Sequence, residues 1–182
     1  KEFNGTELFG KTLGIIGFGN IGSTVGKYAQ ALGMNVLAFD PFRDQANIIA
    51  QGAECVSFDE LLSRSDMISI HAPYKEQNHH LINDEAFAKM KDGVFLVDDA
   101  RGGIVDEEAL LRALESGKVR GAALDVYEKE PPINWDLVKH PKVIATPHIG
   151  AQTKEAQCRA AVDISTEVLN ALNGKPLRWR IC

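Results

Sequence analysis

A β-branched run, Thr12-Leu13-Gly14-Ile15-Ile16, leads straight into Gly17-Phe18-Gly19-Asn20-Ile21-Gly22, and a helical pattern opens directly behind it. The spacing G-x-G-x-x-G is a weak signal alone. Between a strand and a helix, with an acid about 20 residues further on, it demands a particular local structure. Gly17 permits the tight turn, Gly19 lets backbone approach a pyrophosphate, and Gly22 lets helix and strand come close. The first helical turn then offers free N–H groups and partial positive charge to phosphate oxygens. Asp40 ends the next apolar run, Asn35–Phe39. A carboxylate there accepts hydrogen bonds from both ribose hydroxyls and repels a 2′-phosphate, so the expected cofactor is NAD over NADP. Arg43 pulls mildly the other way.

The rest of the chain continues the alternation. Apolar residues at 21, 25, 28, 29 and 32 have helical spacing and stop at Gly33. Further strands are expected at Glu54–Val56, Met67–His71, Val94–Asp98, Ala122–Val126 and Val143–Ala145. Helices are expected at Asp44–Gln51, from the capping box Ser57-x-x-Glu60 to Arg64, from Asn83 to Met90, and from Asp106 to Ser116. Thr153 caps a long last helix with apolar residues at 156, 160, 164, 168 and 172. About seven strands alternating with helices imply right-handed crossovers and a doubly wound α/β fold, a parallel sheet with helices on both faces. Pro131-Pro132 marks the one strongly irregular stretch.

With 182 residues the chain has the size of one domain that needs no staple to fold. Its 20 basic against 25 acidic side chains make it a poor partner for nucleic acid or an anionic membrane. No apolar run approaches the roughly 18 residues of a membrane span. Three scattered cysteines (Cys55, Cys158, Cys182) argue against disulfides and metal and for a reducing, cytoplasmic setting. The chain does not begin with Met, which fits a piece of a longer protein.

Two motif matches are decoys. Gly5 to Thr12 fits the phosphate-loop pattern G-x-x-x-x-G-K-[ST] but precedes a strand, where its amides cannot converge on phosphate. Asn4-Gly5-Thr6 is a glycosylation sequon without other signs of secretion. More telling is Arg101-Gly102-Gly103 just past a strand end, because an Arg there can grip a carboxylate with two parallel N–H bonds. His148 follows the last strand, and two candidate partners, Glu128 and Glu130, follow the one before. A carboxylate-held His suits proton transfer near neutrality, but the spacing does not choose between the two acids. His71 ends a strand on the same edge and shapes a pocket there. His79-His80 and His140 read as solvated surface, and Trp135 and Trp179 as packing or interface residues.

These stretches together resemble the D-2-hydroxyacid dehydrogenase family. The carrying segments are Gly10 to Gly22, Ala100 to Leu110, Gly121 to Val126, Glu130-Pro131-Pro132 and Pro147 to Gln157, within a likeness spanning about residues 5 to 175. The run His148-Ile-Gly-Ala-Gln-Thr-Lys-Glu-Ala-Gln157 is most similar to members that oxidise D-3-phosphoglycerate for serine biosynthesis. Glyoxylate or hydroxypyruvate reduction and an NAD-sensing corepressor are the alternatives. The resemblance implies a Rossmann NAD-binding fold and a catalytic set of Arg101, Glu130 and His148. Arg101 would hold the substrate carboxylate, His148 would take the hydroxyl proton, and Glu130 would stabilise the protonated His. Gly17, Gly19, Asn20, Ile21, Gly22, Asp40, Ala72, Asp99, Ala100, Arg101, Asp125, His148 and Gly150 would line the cofactor. The implied partners are a carboxylate-bearing, phosphorylated 2-hydroxy acid and a second copy of the chain, joined as a homodimer.

Three departures stand out. Asp98-Asp99 replaces the family's usual Asn and small or polar residue, and Asn20 replaces a common Arg. Two carboxylates beside Arg101 are expected to draw it into an ion pair or to repel cofactor phosphates. The family's substrate-binding domain has no counterpart here, and Leu177 to Cys182 does not resemble the family's continuation. The expectation is therefore an NAD-binding domain over 1–182, binding NAD with little turnover by itself.

Overall fold

The computed structural model describes residues 5–179, so the Asn4 sequon and Cys182 lie outside it. Two compact units make up the chain, residues 1–147 and 148–182.

The first unit holds a seven-stranded sheet: β1 (Thr12–Ile16), β2 (Asn35–Phe39), β3 (Glu54–Cys55), β4 (Met67–Ile70), β5 (Val94–Asp98), β6 (Val119–Leu124) and β7 (Val143–Ala145). Its order is β3-β2-β1-β4-β5-β6-β7, with every neighbouring pair parallel. Strand order reverses between β1 and β4, which is where a doubly wound sheet opens a crevice. Register decides what lines that crevice. Phe39 pairs with Ile16, Ile16 with Ile70, Ile70 with Asp98, Asp98 with Leu124 and Leu124 with Ala145. The strands thus end level, and Asp40, Gly17, His71, Asp99, Asp125 and Thr146 emerge along one edge.

Successive strand side chains point to opposite faces, and β1 divides accordingly. Leu13 and Ile15 join a cluster with Ala29, Met34, Val36 and Ile48, under α1 (Asn20–Ala31) and α2 (Gln45–Ala50). Ile16 joins the larger cluster with Leu61, Leu62, Phe87, Leu96 and Leu110. Those residues draw on α3 (Phe58–Arg64), α4 (Asp84–Lys89) and α5 (Glu107–Ser116). Ile15, Leu61, Leu62, Leu96 and Leu110 are fully buried, each worth about 1.5–3 kcal/mol of apolar burial.

Local signals set the helix ends. Side chains of Asp44, Ser57, Asn83 and Asp106 accept from first-turn amides, and Ser57 and Glu60 form the reciprocal capping box. Gly117 closes α5 in the left-handed region at φ 81°.

Three expectations shift. Strand β6 runs Val119–Leu124 instead of 122–126, because the Asp125 amide makes the last ladder-like bond, to the Asp98 carbonyl (2.9 Å), and the chain then turns over the edge. β4 stops at Ile70. The short helix α6 (Trp135–Val138), capped by Asn134, and a 3₁₀ turn at Glu76–Asn78 went unforeseen, since four or three residues carry no readable period.

In the second unit α7 spans Lys154–Leu172, with the Thr153 hydroxyl accepting from the Ala156 amide (3.1 Å). The Trp179 amide donates to Glu167 (3.1 Å), and the Trp179 ring is exposed with Arg178 beside it. Among the described residues no helix is long and apolar enough to cross a membrane.

Candidate active site

The glycine turn is built as its spacing demands. Gly17 has φ +89°, and a Cβ there would lie 2.6 Å from the Ala72 amide nitrogen across the strand switch. A Cβ on Gly22 would collide with the Gly17 carbonyl oxygen. Gly19 differs: a Cβ there meets nothing within 4 Å. The fold needs Gly17 and Gly22, whereas the space above Gly19 is room for something else. Gly19 is also the N-cap of α1, and no side chain caps that helix. Its first-turn amides, at Asn20 and Ile21, therefore remain available to an anion.

Asp40 braces this turn. Its Oδ2 accepts from the Phe18 amide (2.8 Å) and its Oδ1 from the Phe42 amide (2.9 Å). Each carboxylate oxygen keeps a second lone pair for a ribose hydroxyl. Gly17, Asp40, Arg43, Ala72, Lys75 and Asn78 are among the residues lining a cleft of about 470 Å³. Its chemistry fits the adenosine end of a dinucleotide: apolar walls and one acid, Asp40, placed to meet a ribose. Gly17, Asp40 and Ala72 line this cleft, Gly19, Asn20 and Ile21 stand at the start of α1, and these six are the candidates to hold NAD. Asp40→Asn keeps the shape and removes the charge. It should weaken NAD binding about tenfold, the loss of roughly 1.4 kcal/mol from a charged acceptor, and narrow the preference over NADP. Titration calorimetry with both dinucleotides reads this directly.

The edge beyond β5 corrects one expectation. Asp98 and Asp99 do not capture Arg101. The Arg101 guanidinium donates to the Ala100 carbonyl (2.6 Å), and among the described residues it forms no ion pair. The two acids have other fates. Asp98 is only 2% exposed and accepts from the Ala100 amide (3.0 Å). Burial, with the Asp99 charge adding to it and the Ala100 N–H opposing, pushes its carboxyl up to about 7. Asp99 is half exposed and faces His71 Nδ1 at 3.3 Å, which holds its carboxyl below the usual range. The His71 ring is buried and reaches Ser69 Oγ at 2.8 Å through Nε2. His71 thus ties Asp99 to Ser69 at this edge.

Asp125 is buried after β6, and its Oδ1 accepts from the Thr146 hydroxyl (2.6 Å). Glu128 and Glu130 have different neighbours. Glu128 Oε1 lies 2.7 Å from His80 Nε2, whereas Glu130 Oε1 accepts from the Tyr127 amide (3.3 Å). His80 is therefore not solvated surface. It is half-buried, stacks on His79 at 3.8 Å and faces Asp106 Oδ2 at 3.7 Å through Nδ1. Adjacency in sequence hid this, because both acids come from distant segments. His80, Asp106 and Glu128 also form the group of described residues whose metal-ligating atoms lie within 4.8 Å of one another. The 2.7 Å contact itself has the length of a charge-assisted hydrogen bond.

His148 and Gly150 are exposed residues of the second unit, and His148 sits in the left-handed region at φ 57°.

The sequence matches the family model for the NAD-binding domain of D-isomer-specific 2-hydroxyacid dehydrogenases over residues 1–150. It is 51% identical over 173 residues to D-3-phosphoglycerate dehydrogenase of Bacillus subtilis, covering 95% of this chain and 33% of that protein. Hydroxypyruvate reductase of Thermotoga maritima is 49% identical over 94% of this chain and 56% of its own length. The structure of a glyoxylate reductase from Paecilomyes thermophila superposes with TM-score 0.89 at 42% identity, over 95% of this chain and 53% of that one. The chain thus spans between a third and about half of these proteins. A glycine turn at the strand switch, a ribose-level acid and a match across 150 residues lead to one assignment: this chain belongs to the D-isomer-specific 2-hydroxyacid dehydrogenase family and is its NAD-binding domain.

Proposed function

We propose that the protein carrying this chain is an NAD-dependent D-3-phosphoglycerate dehydrogenase, with this chain as the cofactor half of a two-domain enzyme. The observation that carries the reading is the level carboxyl edge, where the glycine turn, Asp40, Asp99, Arg101 and Asp125 follow strands that end in register. The 51% identity to the Bacillus subtilis enzyme supports the choice of substrate. Bound NAD, held by the glycine turn and Asp40, would supply the acceptor for the hydride at C2 of the 2-hydroxy acid. Arg101 holds the substrate carboxylate in a two-pronged grip, which a planar guanidinium provides and an ammonium does not. The likeness to the family assigns His148 the part of taking the hydroxyl proton and Glu130 that of the supporting carboxylate. Hydroxypyruvate or glyoxylate reduction is a second reading, supported by the Thermotoga maritima relative. Homodimerisation and a cytoplasmic setting complete the proposal.

A substrate panel on the full-length protein tests it. D-3-phosphoglycerate with NAD should give the highest kcat/KM. Faster turnover of hydroxypyruvate or glyoxylate with NADH would shift the assignment to the second reading, and no turnover of any 2-hydroxy or 2-oxo acid would defeat both. Arg101→Lys should lower kcat/KM about 100-fold by losing one of two parallel bonds and the alignment they impose.

A further inference from the structure

We propose that His80 is a positioning residue, clamping the Arg101 turn to the segment that carries Glu130. The inference rests on the reading of Arg101 and Glu130 given above. Three segments meet at His80. The first is its own: the His80 amide donates to the Gly103 carbonyl (2.8 Å), the Ile82 amide to the Ile104 carbonyl (3.1 Å), and the Asp106 amide to the Ile82 carbonyl (3.0 Å). Residues 80–82 thus run as a short parallel ribbon beside 103–106, immediately downstream of Arg101. The second is the start of α5, where Asp106 caps the helix through Oδ1 and turns Oδ2 toward His80 Nδ1. The third is the segment after β6, where Glu128 takes the other ring nitrogen at 2.7 Å.

The Arg101 turn already lies against that third segment. A Cβ on Gly102 would collide with the Tyr127 carbonyl oxygen, so backbone touches backbone there. The Glu128 amide donates to Glu107 Oε1 (2.8 Å), and the Tyr127 amide to Glu130 Oε1 (3.3 Å). A ring joined at one nitrogen to Glu128 and facing Asp106 at the other sets the spacing between Arg101 and Glu130. The backbone of His80 supports this. It occupies the left-handed region at φ 51°, which a non-glycine residue holds only where its surroundings over-determine it. His79 contributes by stacking on the ring, with Tyr74 Oη 3.4 Å from His79 Nδ1.

Half-exposed ion pairs contribute little to global stability, but a misplacement of about 1 Å can cost up to about 100-fold in rate. The test uses the full-length protein and two readouts. His80→Asn tolerates the same backbone but is too short to reach Glu128, and Glu128→Ala removes the partner. Each is expected to lower kcat about tenfold with KM for NAD within about twofold, and the double variant to fall no further than either single one. Glu128→Gln, which keeps an acceptor, should stay within about threefold of the parent. Amide exchange reads the clamp without any substrate: the amides of Tyr127 and Glu128 should exchange about tenfold faster in His80→Asn. Additive kcat losses, or unchanged kcat and exchange, would overturn the clamp. A parent protein without dehydrogenase activity would instead defeat the functional reading, while the exchange measurement still decides whether His80 holds the segments together.

Discussion

Replacing Gly19 by valine is expected to weaken NAD binding at least 100-fold while costing no more than about 1 kcal/mol of stability. The backbone there is extended (φ −76°, ψ −156°), so a branched side chain meets no conformational penalty. A Cβ meets nothing within 4 Å, and the small cost comes from exchanging a tolerated helix N-cap for a poor one. The branched side chain would nonetheless occupy the space through which a pyrophosphate reaches the first-turn amides. Losing those bonds accounts for roughly 2.8 kcal/mol at 100-fold. Gly22→Val is the contrasting control, since its side chain would strike the Gly17 carbonyl and destabilise the fold itself. Thermal unfolding and NAD titration of the two variants separate the glycine that serves the ligand from the one that serves the fold. Binding by the Gly19→Val protein within threefold of the parent would remove the turn from the cofactor site.

Asp98→Asn should stabilise the protein above neutral pH by about 2–4 kcal/mol. Burial holds the Asp98 proton up to about pH 7 in the folded chain, whereas the unfolded chain releases it near pH 4. Below pH 4 both states carry the proton and the group contributes no pH dependence. From pH 4 to 7 the folded state binds more protons than the unfolded state, so stability falls as pH rises, and the full deficit persists above 7. Each decade of displacement is worth about 1.4 kcal/mol, which caps the effect near 4 kcal/mol. An amide of the same shape does not ionise. The variant's stability curve should therefore separate from the parent's between pH 4 and 7 and run parallel above it, with Tm higher by about 5–10 °C at pH 8. Superimposed curves across that range would show that the Asp98 carboxyl ionises without penalty. The accompanying Asp99–His71 pair is left intact by the substitution, so the measurement isolates the buried acid.

These two residues illustrate how differently the chain discloses its parts. The glycine turn, the strand runs and the caps at Ser57, Asn83 and Asp106 were legible because each is written within a few adjacent residues: a period of two or 3.6, or an acceptor three positions before an amide. The likeness to dehydrogenases added roles for Arg101, Glu130 and His148. It did not anticipate that Arg101 would stay clear of its two neighbouring acids. Nor did it foresee His80 between Asp106 and Glu128, a pairing that spans 48 positions to Glu128.

The amino-acid sequence alone determined the alternation of strands and helices, and with it a parallel sheet whose first turn leaves the start of α1 without a side-chain cap. Those choices follow from local hydrogen bonding and from which face of each element is apolar. Only the tertiary structure decided which of the adjacent acids Asp98 and Asp99 is buried, and which of Glu128 and Glu130 is taken by His80. Asp98 is the last residue of β5 and turns inward, whereas Asp99 lies one step past the strand end, so a single position separates a desolvated carboxyl from one beside an imidazole. Chain closure between distant loops, rather than any local preference, brought His80 to Glu128.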